Sequence, residues 1–192
     1  MLKMKGQLIT LEPLNIEKHA KGYFDVCQDE RIHLYTGNHV PSKLHEVVKL
    51  LEKYEQLFIN WIITANDTGS VIGLLRLSRP QRVDGVLVAG ESQFLHSAYW
   101  RKGHMKEAKA LLYPYVFQKL AVDALYADVW EGNTNSRRSL ESYGYVQVET
   151  KTERFSKTGK ETKKYIYALT KEDYLRRQTK HTDYAASVTQ AE

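Results

Sequence analysis

The stretch Tyr-Trp-Arg-Lys-Gly-His-Met-Lys-Glu-Ala, residues 99–108, determines how the middle of this chain folds. It follows a run that is typical of a strand, and it reads as a glycine-containing turn that opens an amphipathic helix. The first N–H groups of such a helix have no partner within it, and the helix dipole adds positive potential there. Gly103 lets a ligand approach the backbone, and Arg101 and Lys102 add formal charge. The stretch therefore predicts a pyrophosphate-binding turn, although the glycine alone also fits a plain turn.

A second helix start follows one predicted strand later, at Asn133-Thr134-Asn135-Ser136. Asn and Ser are ordinary N-capping residues, so this segment alone predicts only a short helix, which ends at Gly144. Capping does not explain why this helix start comes one strand after the first. The order suggests that both helix starts serve one ligand.

The rest of the chain predicts a sheet of seven strands. Their positions are residues 8–11, 58–65, 71–77, 86–96, 125–129, 145–150 and 164–169. Five helices are predicted between and after them: one with Ile16, Ala20, Tyr23 and Cys27 on its apolar face, one capped by Ser42, one over 103–119 with a kink at Pro114, one over 136–143, and one opened by Thr170 and Asp173. This order predicts an α/β (α+β) fold, with a mixed, mostly antiparallel sheet and helices on both faces.

Composition predicts one globular domain over residues 1–177 and a polar, disordered tail over 178–192. No apolar run is long enough to span a membrane, and the first residues lack the apolar stretch of a secretory signal. The chain has one cysteine, Cys27, so it forms no internal disulfide, and no Cys/His cluster has zinc-ligand spacing. We therefore expect a cytoplasmic protein without membrane association and without a bound metal.

The net charge of +5 and the pI of about 9.1 raise the alternative of a nucleic-acid-binding module. The charges are, however, mixed in sign along the chain. Two of the short basic clusters, Arg101-Lys102 and Arg137-Arg138, lie within the two helix starts. This placement favours a small polyanionic ligand and predicts no nucleic acid as partner.

Taken together, in this order and spacing, the two segments resemble the GNAT superfamily of N-acetyltransferases. The first is similar to the family's phosphate-binding signature, Gln/Arg-x-x-Gly-x-Gly/Ala. The second is similar to its Asn-x-x-Ser helix start, here Asn133 and Ser136, with Gly144-Tyr145 after the helix. The closer likeness is to the RimJ/RimL-type branch of ribosomal-protein N-alpha-acetyltransferases, which often reads Tyr-Trp-Gly-Lys-Gly-Tyr-Ala-Thr-Glu-Ala in the first segment. The resemblance runs over residues 6–174.

The resemblance implies acetyl-CoA as co-substrate and assigns a set of residues to its binding. That set is Phe94, Leu95, Trp100, Arg101, Lys102, Gly103, His104, Met105, Lys106, Asn133 and Ser136. Three residues depart from the family pattern. Trp100 stands where the general signature has Gln or Arg, and Met105 occupies a small-residue position, so its side chain must turn away from the phosphates. Leu140 replaces a Tyr that protonates the departing thiolate in many relatives.

The resemblance also implies that an amine attacks the acetyl thioester directly in a ternary complex. Glu91 is the first candidate for the base, acting directly or through water. Two alternatives stay open, because Gly90 aligns with the usual acidic position and a Glu in a strand is often simply solvated. A backbone N–H at Phe94 or Leu95 would polarise the thioester carbonyl.

Ser136 is the first candidate to protonate the leaving thiolate and Tyr143 the second, while a simple N-cap remains the alternative for Ser136. Tyr35 and Tyr99 are the candidates for lining the acceptor groove. The RimJ/RimL-type likeness favours a protein N-terminus as the primary-amine acceptor, and a small amine such as a polyamine or an aminoglycoside stays open. A CoA-binding protein without catalysis is the other alternative, and a homodimer is a general expectation.

Overall fold

The computed structural model describes residues 2–36 and 40–179. The helices are α1 (Ile16–Cys27), α2 (Leu44–Leu57), α3 (His104–Pro114), α4 (Thr134–Ser142) and α5 (171–179). The strands are β1 (Met4–Lys5), β2 (Ile9–Pro13), β3 (Phe58–Ala65), β4 (Val71–Ser78), β5 (Gln81–Val83), β6 (Val86–Leu95), β7 (Ala124–Trp130), β8 (Val146–Arg154) and β9 (Glu161–Thr170). Short 3-10 turns follow α1 (Glu30–His33) and β6 (Ser97–Tyr99).

The strands form one sheet in the order β1-β2-β3-β4-β6-β7-β9-β8, with β5 added alongside β6. The pair β6–β7 is parallel and the other pairs are antiparallel. Neighbouring side chains in β3 alternate between two cores, because Ile62 packs with α1 and α2 while Trp61 and Ile63 pack with α3. The predicted mixed, mostly antiparallel sheet with helices on both faces is therefore confirmed.

The predicted number of seven strands is wrong, because the described residues form nine. β1 has two residues, too few to show a period in the sequence. β5 lies between the predicted strands 71–77 and 86–96 and forms a hairpin with β6, where Val83 pairs with Val86. Asp84 and Gly85 between them both have positive φ, 49° and 84°. Asp-Gly is a favoured pair for such a two-residue turn, and this signal was available in the sequence.

The predicted N-cap of α2 is also wrong. The capping position is Lys43, which makes no side-chain capping hydrogen bond. Ser42 lies one residue earlier, and its backbone N–H donates to the Glu46 carboxylate at 2.7 Å. The Glu46 side chain thus accepts a hydrogen bond from the chain before the helix. In the predicted arrangement, the Ser42 side chain would instead have accepted one from an N–H group of the first helical turn.

The predicted interruption at Pro114 is confirmed. Regular α3 ends at this residue and continues as one π-helical turn, Tyr115–Lys119. The Leu120 N–H donates to the Tyr115 carbonyl at 3.0 Å, which closes the wider turn. Proline supplies no N–H and crowds the preceding turn, so the usual hydrogen-bond ladder cannot continue past it.

The last helix begins as predicted, since the Asp173 N–H donates to the Thr170 hydroxyl at 3.0 Å. Residues 178 and 179 still belong to α5. The remainder of the predicted disordered tail, 180–192, lies outside the described residues, and the domain boundary at 177 stays a prediction.

One acidic side chain ties the start of the sheet to α3. The Glu107 carboxylate accepts hydrogen bonds from the N–H groups of Gln7, Leu8 and Ile9 at 2.7–2.8 Å. A Cβ on Gly6 would lie 2.5 Å from the same carboxyl group, so a larger residue there would displace the Glu107 side chain. The tie fixes the N-terminal segment against the helix that carries the predicted anion-binding turn.

We expect Glu107→Ala to lower the free energy of unfolding by about 1.5–3 kcal/mol, because three backbone donors lose a charged acceptor. Urea unfolding monitored by circular dichroism measures it. The matched control is Glu17→Ala, an exposed first-turn acid of α1, for which we expect a loss of about 1 kcal/mol or less. Equal losses in both variants would contradict the tie.

Candidate active site

A gap opens in the middle of the sheet where β6 and β7 separate. The two strands pair from Val88 with Ala124 to Gly90 with Tyr126. Beyond Gly90, β6 remains paired with β4 as far as Leu95, and β7 remains paired with β9. The last five residues of β6 therefore present one backbone edge to the gap.

The alternating direction of the backbone N–H groups along β6 shows which of them face this gap. The His96 N–H donates to the Ile72 carbonyl at 2.8 Å, on the β4 side. Because N–H directions alternate along a strand, the Leu95 N–H points the opposite way, into the gap. The Leu95 carbonyl lies on this same side, where it accepts a hydrogen bond from the Trp100 indole at 2.6 Å. Of the two candidate donors, Leu95 rather than Phe94 has the required direction.

A cavity of about 830 Å³ lies against the gap, between the turn before α3, the first turn of α4 and the loop after α1. All the predicted cofactor-binding residues line it except Lys102, which is exposed and lines neither this cavity nor the second one described below. None of the described residues that line the cavity is an acid. Four cationic side chains line it: Arg31, Arg101, Lys106 and Arg138. The electrostatics of the cavity therefore suit a polyanion.

The turn before α3 has the geometry that an anion-binding helix start requires. Arg101 and Gly103 adopt positive φ, 58° and 85°. The first hydrogen bond of α3 runs from the Glu107 N–H to the Gly103 carbonyl at 2.9 Å, so the N–H groups of His104, Met105 and Lys106 precede the helical ladder. No side chain caps this end.

Two side chains of this turn have further features. The His104 side chain is largely buried, and its Nδ1 has no hydrogen-bond partner among residues 2–36 and 40–179. Met105 lines the cavity and also packs against the main core.

The start of α4 is capped by Asn133, whose side-chain oxygen accepts a hydrogen bond from the Ser136 N–H at 3.2 Å. The helix accordingly begins two residues before its predicted start. Capping thus accounts for Asn133, while the Ser136 side chain is free for another role at the cavity wall. The basic pair after it divides: Arg137 donates to the Tyr167 hydroxyl at 3.2 Å, and Arg138 lines the cavity.

A second cavity of about 220 Å³ continues from the first through the gap. The two cavities share Tyr35, Gln93, Phe94, Asn133 and Ser136 among their lining residues. The two helix starts and the gap thus face one continuous cleft.

The second cavity also has walls of its own. Arg76 of β4 and Ser92 of β6 line one side of it, and Asp128 and Trp130 of β7 line the other.

Glu91 lines the second cavity, and its carboxylate is held in a buried network. One oxygen is 2.7 Å from the Lys109 ammonium, with both side chains at most 1% exposed. The other accepts hydrogen bonds from the hydroxyls of Tyr113 and Tyr145 at 2.7 and 3.1 Å. Both oxygens are therefore occupied. The role of Glu91 as a base stays a prediction, and these contacts favour a positioning role.

Tyr143 differs from these tyrosines because its hydroxyl has no partner among the described residues, although it is buried. It lines the first cavity, and its ring centroid lies 5.0 Å from the Lys109 ammonium. Burial, and then the negative charge of Glu91, raises the pKa of the Tyr143 phenol above its ordinary value. The group is therefore protonated at neutral pH.

The two predicted acceptor-groove aromatics occupy different places. Tyr35 is 38% exposed, lines both cavities and lies over Gly132, where a Cβ would be 3.0 Å from its ring. Tyr99 lines only the first cavity and packs edge-on against the His104 ring at 5.1 Å. Tyr99 thus lies beside the predicted phosphate turn, and Tyr35 lies where the cavities meet.

Several cleft residues were not singled out from the sequence. Gln93 lines both cavities, and its side-chain oxygen is buried without a partner among the described residues. Arg76 interrupts the otherwise apolar strand Val-Ile-Gly-Leu-Leu-Arg-Leu, and this interruption was a usable signal. Arg31 carried no such signal in the sequence, because a charged residue in a polar loop is ordinary.

Two kinds of feature, a metal-binding cluster and a membrane-spanning helix, are not found among residues 2–36 and 40–179. No cluster of three or more His, Cys, Asp or Glu side chains there could hold a metal ion. No helix there is both long and apolar enough to cross a membrane.

The cleft, with a phosphate-type turn at one end and an opened strand edge at its centre, is the arrangement of an acyl-transferring enzyme. A family model described as acetyltransferase (GNAT) domain matches residues 9–146. The chain therefore belongs to the GNAT acetyltransferase family and is an acyltransferase. No curated protein matches the sequence.

Solved structures of the same fold include a GCN5-related N-acetyltransferase from Brucella melitensis, with 21% identity, a TM-score of 0.78, and 90% of this chain and 80% of that chain covered. The ribosomal-protein-S5-alanine acetyltransferase from Vibrio fischeri has 14% identity and a TM-score of 0.73, with 91% and 99% covered. A nucleotide-linked sugar GNAT, FdhC, has 15% identity and a TM-score of 0.72, with 94% and 97% covered. At these identities the likeness is one of fold.

We expect Lys109→Met to lower the free energy of unfolding by about 3–5 kcal/mol, because it leaves the Glu91 carboxylate buried and unpaired. Adding Glu91→Gln to this variant removes the charge and keeps an oxygen for the two tyrosine hydroxyls, so the double variant should recover much of the loss. Urea unfolding of both variants provides the measurement. Lys49→Met, an exposed position of α2, is the control and should change stability by about 0.5 kcal/mol or less. Additive losses in the double variant would contradict the coupling.

Proposed function

We propose that this protein transfers the acetyl group of acetyl-CoA to a primary amine by direct attack in a ternary complex. The observation that carries the proposal is the single cleft that joins the α3 start, the α4 start and the gap between β6 and β7. The described residues that line its first cavity include four cations and no acid, which suits a polyanion. We also propose that the protein is located in the cytoplasm and that it forms a homodimer. The cytoplasmic location is consistent with the lone, buried Cys27.

The first cavity would hold CoA by its phosphates. The N–H groups of His104, Met105 and Lys106 face outward at the uncapped start of α3, where the pyrophosphate would bind. Arg101 and Arg138 line the same cavity and would add charge-assisted hydrogen bonds. When bound, acetyl-CoA supplies the activated acetyl thioester. Lys102 has the weakest support in the set, because it lines neither cavity.

The gap in the sheet would position the thioester carbonyl. The Leu95 N–H points into the gap, so it can donate to the carbonyl oxygen as negative charge develops on the oxygen. The amine enters from the second cavity and attacks the carbonyl carbon, the carbon–sulfur bond breaks, and the thiolate leaves. The attacking nitrogen loses a proton, which would pass to Glu91, directly or through water, or to solvent water.

An unperturbed thiol titrates near pKa ~8.5, so the leaving thiolate needs only modest help from a proton donor. Tyr143 is the proposed donor, because its hydroxyl is buried beside the first cavity without a partner among the described residues. Ser136 is the second candidate and lines both cavities. Leu140 is buried at the edge of the second cavity and leaves the usual donor position without a hydroxyl.

An α-amine titrates near pKa ~8 and a lysine-type amine near ~10.4, so α-amines supply more of the neutral nucleophile at pH 7. This favours a protein N-terminus as acceptor, in line with the RimJ/RimL-type sequence likeness and with the Vibrio fischeri structure. The rival is an amino sugar, which the similarity to the nucleotide-linked sugar GNAT supports. In either case Glu91 contributes by fixing α3 and Tyr145 behind the cleft, and a base role for it is tested by Glu91→Gln.

We expect Gly103→Val to weaken acetyl-CoA binding about 10- to 100-fold, because a side chain at φ 85° displaces the turn whose N–H groups bind phosphate. Isothermal titration calorimetry measures the affinity. Gly69→Val is the matched control, since Gly69 also has positive φ, 68°, with open space around it and lies outside the cleft. Equal affinities in the two folded variants would remove the pyrophosphate assignment.

We expect Tyr143→Phe to lower kcat by about 10-fold or more while the acetyl-CoA Kd stays within about 2-fold, because only the proton donor is lost. Release of CoA thiol in the presence of an amine pool measures kcat, and Tyr126→Phe, an exposed tyrosine of β7, is the control. A wild-type kcat for Tyr143→Phe together with a loss for Ser136→Ala would transfer the role to Ser136. Binding of acetyl-CoA without any acetylated amine would instead support a CoA-binding protein without catalysis.

A further inference from the structure

The guanidinium group of Arg76 is held rigidly at the wall of the second cavity. The central carbon of the group, Cζ, lies 4.1 Å from the ring centroid of Tyr54 and 4.4 Å from that of Phe58. Its Nε donates to the Ser92 hydroxyl at 2.6 Å. The two rings are nearly perpendicular to each other, and both lie against the guanidinium group.

This cation has no anionic partner in the part of the chain that the structure describes. None of the ion pairs among residues 2–36 and 40–179 includes Arg76. Its Nη1 is buried and has no hydrogen-bond partner in the same part of the chain. Removing a cation from water without a counterion is unfavourable, and buried charges in proteins are normally paired. An anionic ligand group at Nη1 would supply the missing partner.

A second unpaired polar group lines the same cavity. The Gln93 side-chain oxygen is buried without a partner among the described residues, and it can accept a hydrogen bond from an amine. The cavity therefore combines an unpaired donor that carries positive charge with an unpaired neutral acceptor. An amine with a carboxylate nearby is complementary to both.

We infer that the acceptor is a primary amine that carries a carboxylate, with the carboxylate bound by Arg76 and the amine nitrogen oriented by Gln93. This inference rests on the proposed acetyl transfer and specifies its acceptor. The carboxylate can be the α-carboxylate of a free amino acid or an acidic side chain close to a peptide N-terminus, since both present the same group. Arg76 and Gln93 act by positioning the acceptor.

The test compares acceptors that differ only in the carboxylate. One arm uses a pool of free α-amino acids against the matching pool of α-amino acid amides. The other uses two C-terminally amidated peptides with Asp or Asn at the second position. Mass spectrometry of the products identifies the acetylated species, and kcat/KM is then measured for the best pair. We expect the carboxylate member of one pair to have a kcat/KM about 10-fold higher or more, and the arm that responds identifies the source of the carboxylate.

Variants of Arg76 test the contact itself. We expect Arg76→Gln to lower kcat/KM for the carboxylate acceptor about 10- to 100-fold, chiefly through KM, and to leave the carboxamide acceptor within about 3-fold. Arg76→Lys, which keeps the charge without the planar fork, should retain part of the preference. The acetyl-CoA Kd should be unchanged in both and reports that they fold. Arg82→Gln, an exposed arginine of β5, should leave all these values unchanged.

The possible failures are distinct. If wild-type enzyme acetylates carboxylate and carboxamide acceptors equally, or if Arg76→Gln lowers both equally while binding acetyl-CoA normally, the acceptor inference is wrong and the proposed acetyl transfer stands. If no amine in any arm is acetylated although acetyl-CoA binds, the proposed function is wrong and the inference falls with it.

Discussion

Pairing between β6 and β7 ends at Gly90 and Tyr126, while each strand keeps its other neighbour. Backbone N–H and C=O groups that leave a sheet in this way need new partners. The Trp100 indole satisfies the Leu95 carbonyl from within the chain, and the Leu95 N–H points into the same gap. The gap also joins the two cavities. The proposed reaction would bring a thioester and an amine together at this opening in the hydrogen-bonded sheet.

The buried Glu91 network lies next to this opening. Glu91 follows the last residue of β6 that pairs with β7, and its carboxylate binds Lys109 and Tyr113 of α3 and Tyr145 just before β8. The helix that this carboxylate holds is the one whose first turn faces the cavity. A buried ion pair gains little stability over an apolar substitute, and its value lies in fixing one arrangement, a role that the coupling experiment addresses. The unpaired Tyr143 hydroxyl lies beside the same network.

Sequence patterns predicted the features that local chemistry determines. Gly103 and Asn133 marked the two helix starts, because positive φ and N-capping each demand particular residues. Glu91 was singled out, but its partner was not, since a lysine within an amphipathic helix normally reads as solvent-exposed. Lys109 becomes intelligible only when α3 is packed on the sheet. That Arg76 has no counterion among the described residues is likewise a tertiary fact, because it depends on which of their acids do not reach it.

The proposed chemistry requires that one ligand spans the α3 start and the gap between β6 and β7. A crystal structure of the protein with coenzyme A is the sharpest test of this requirement. We expect the pyrophosphate at the N–H groups of His104, Met105 and Lys106, and the thiol in the gap close to the Leu95 N–H. Coenzyme A bound elsewhere, or bound at α3 with its thiol directed away from the gap, would show that the requirement is not met.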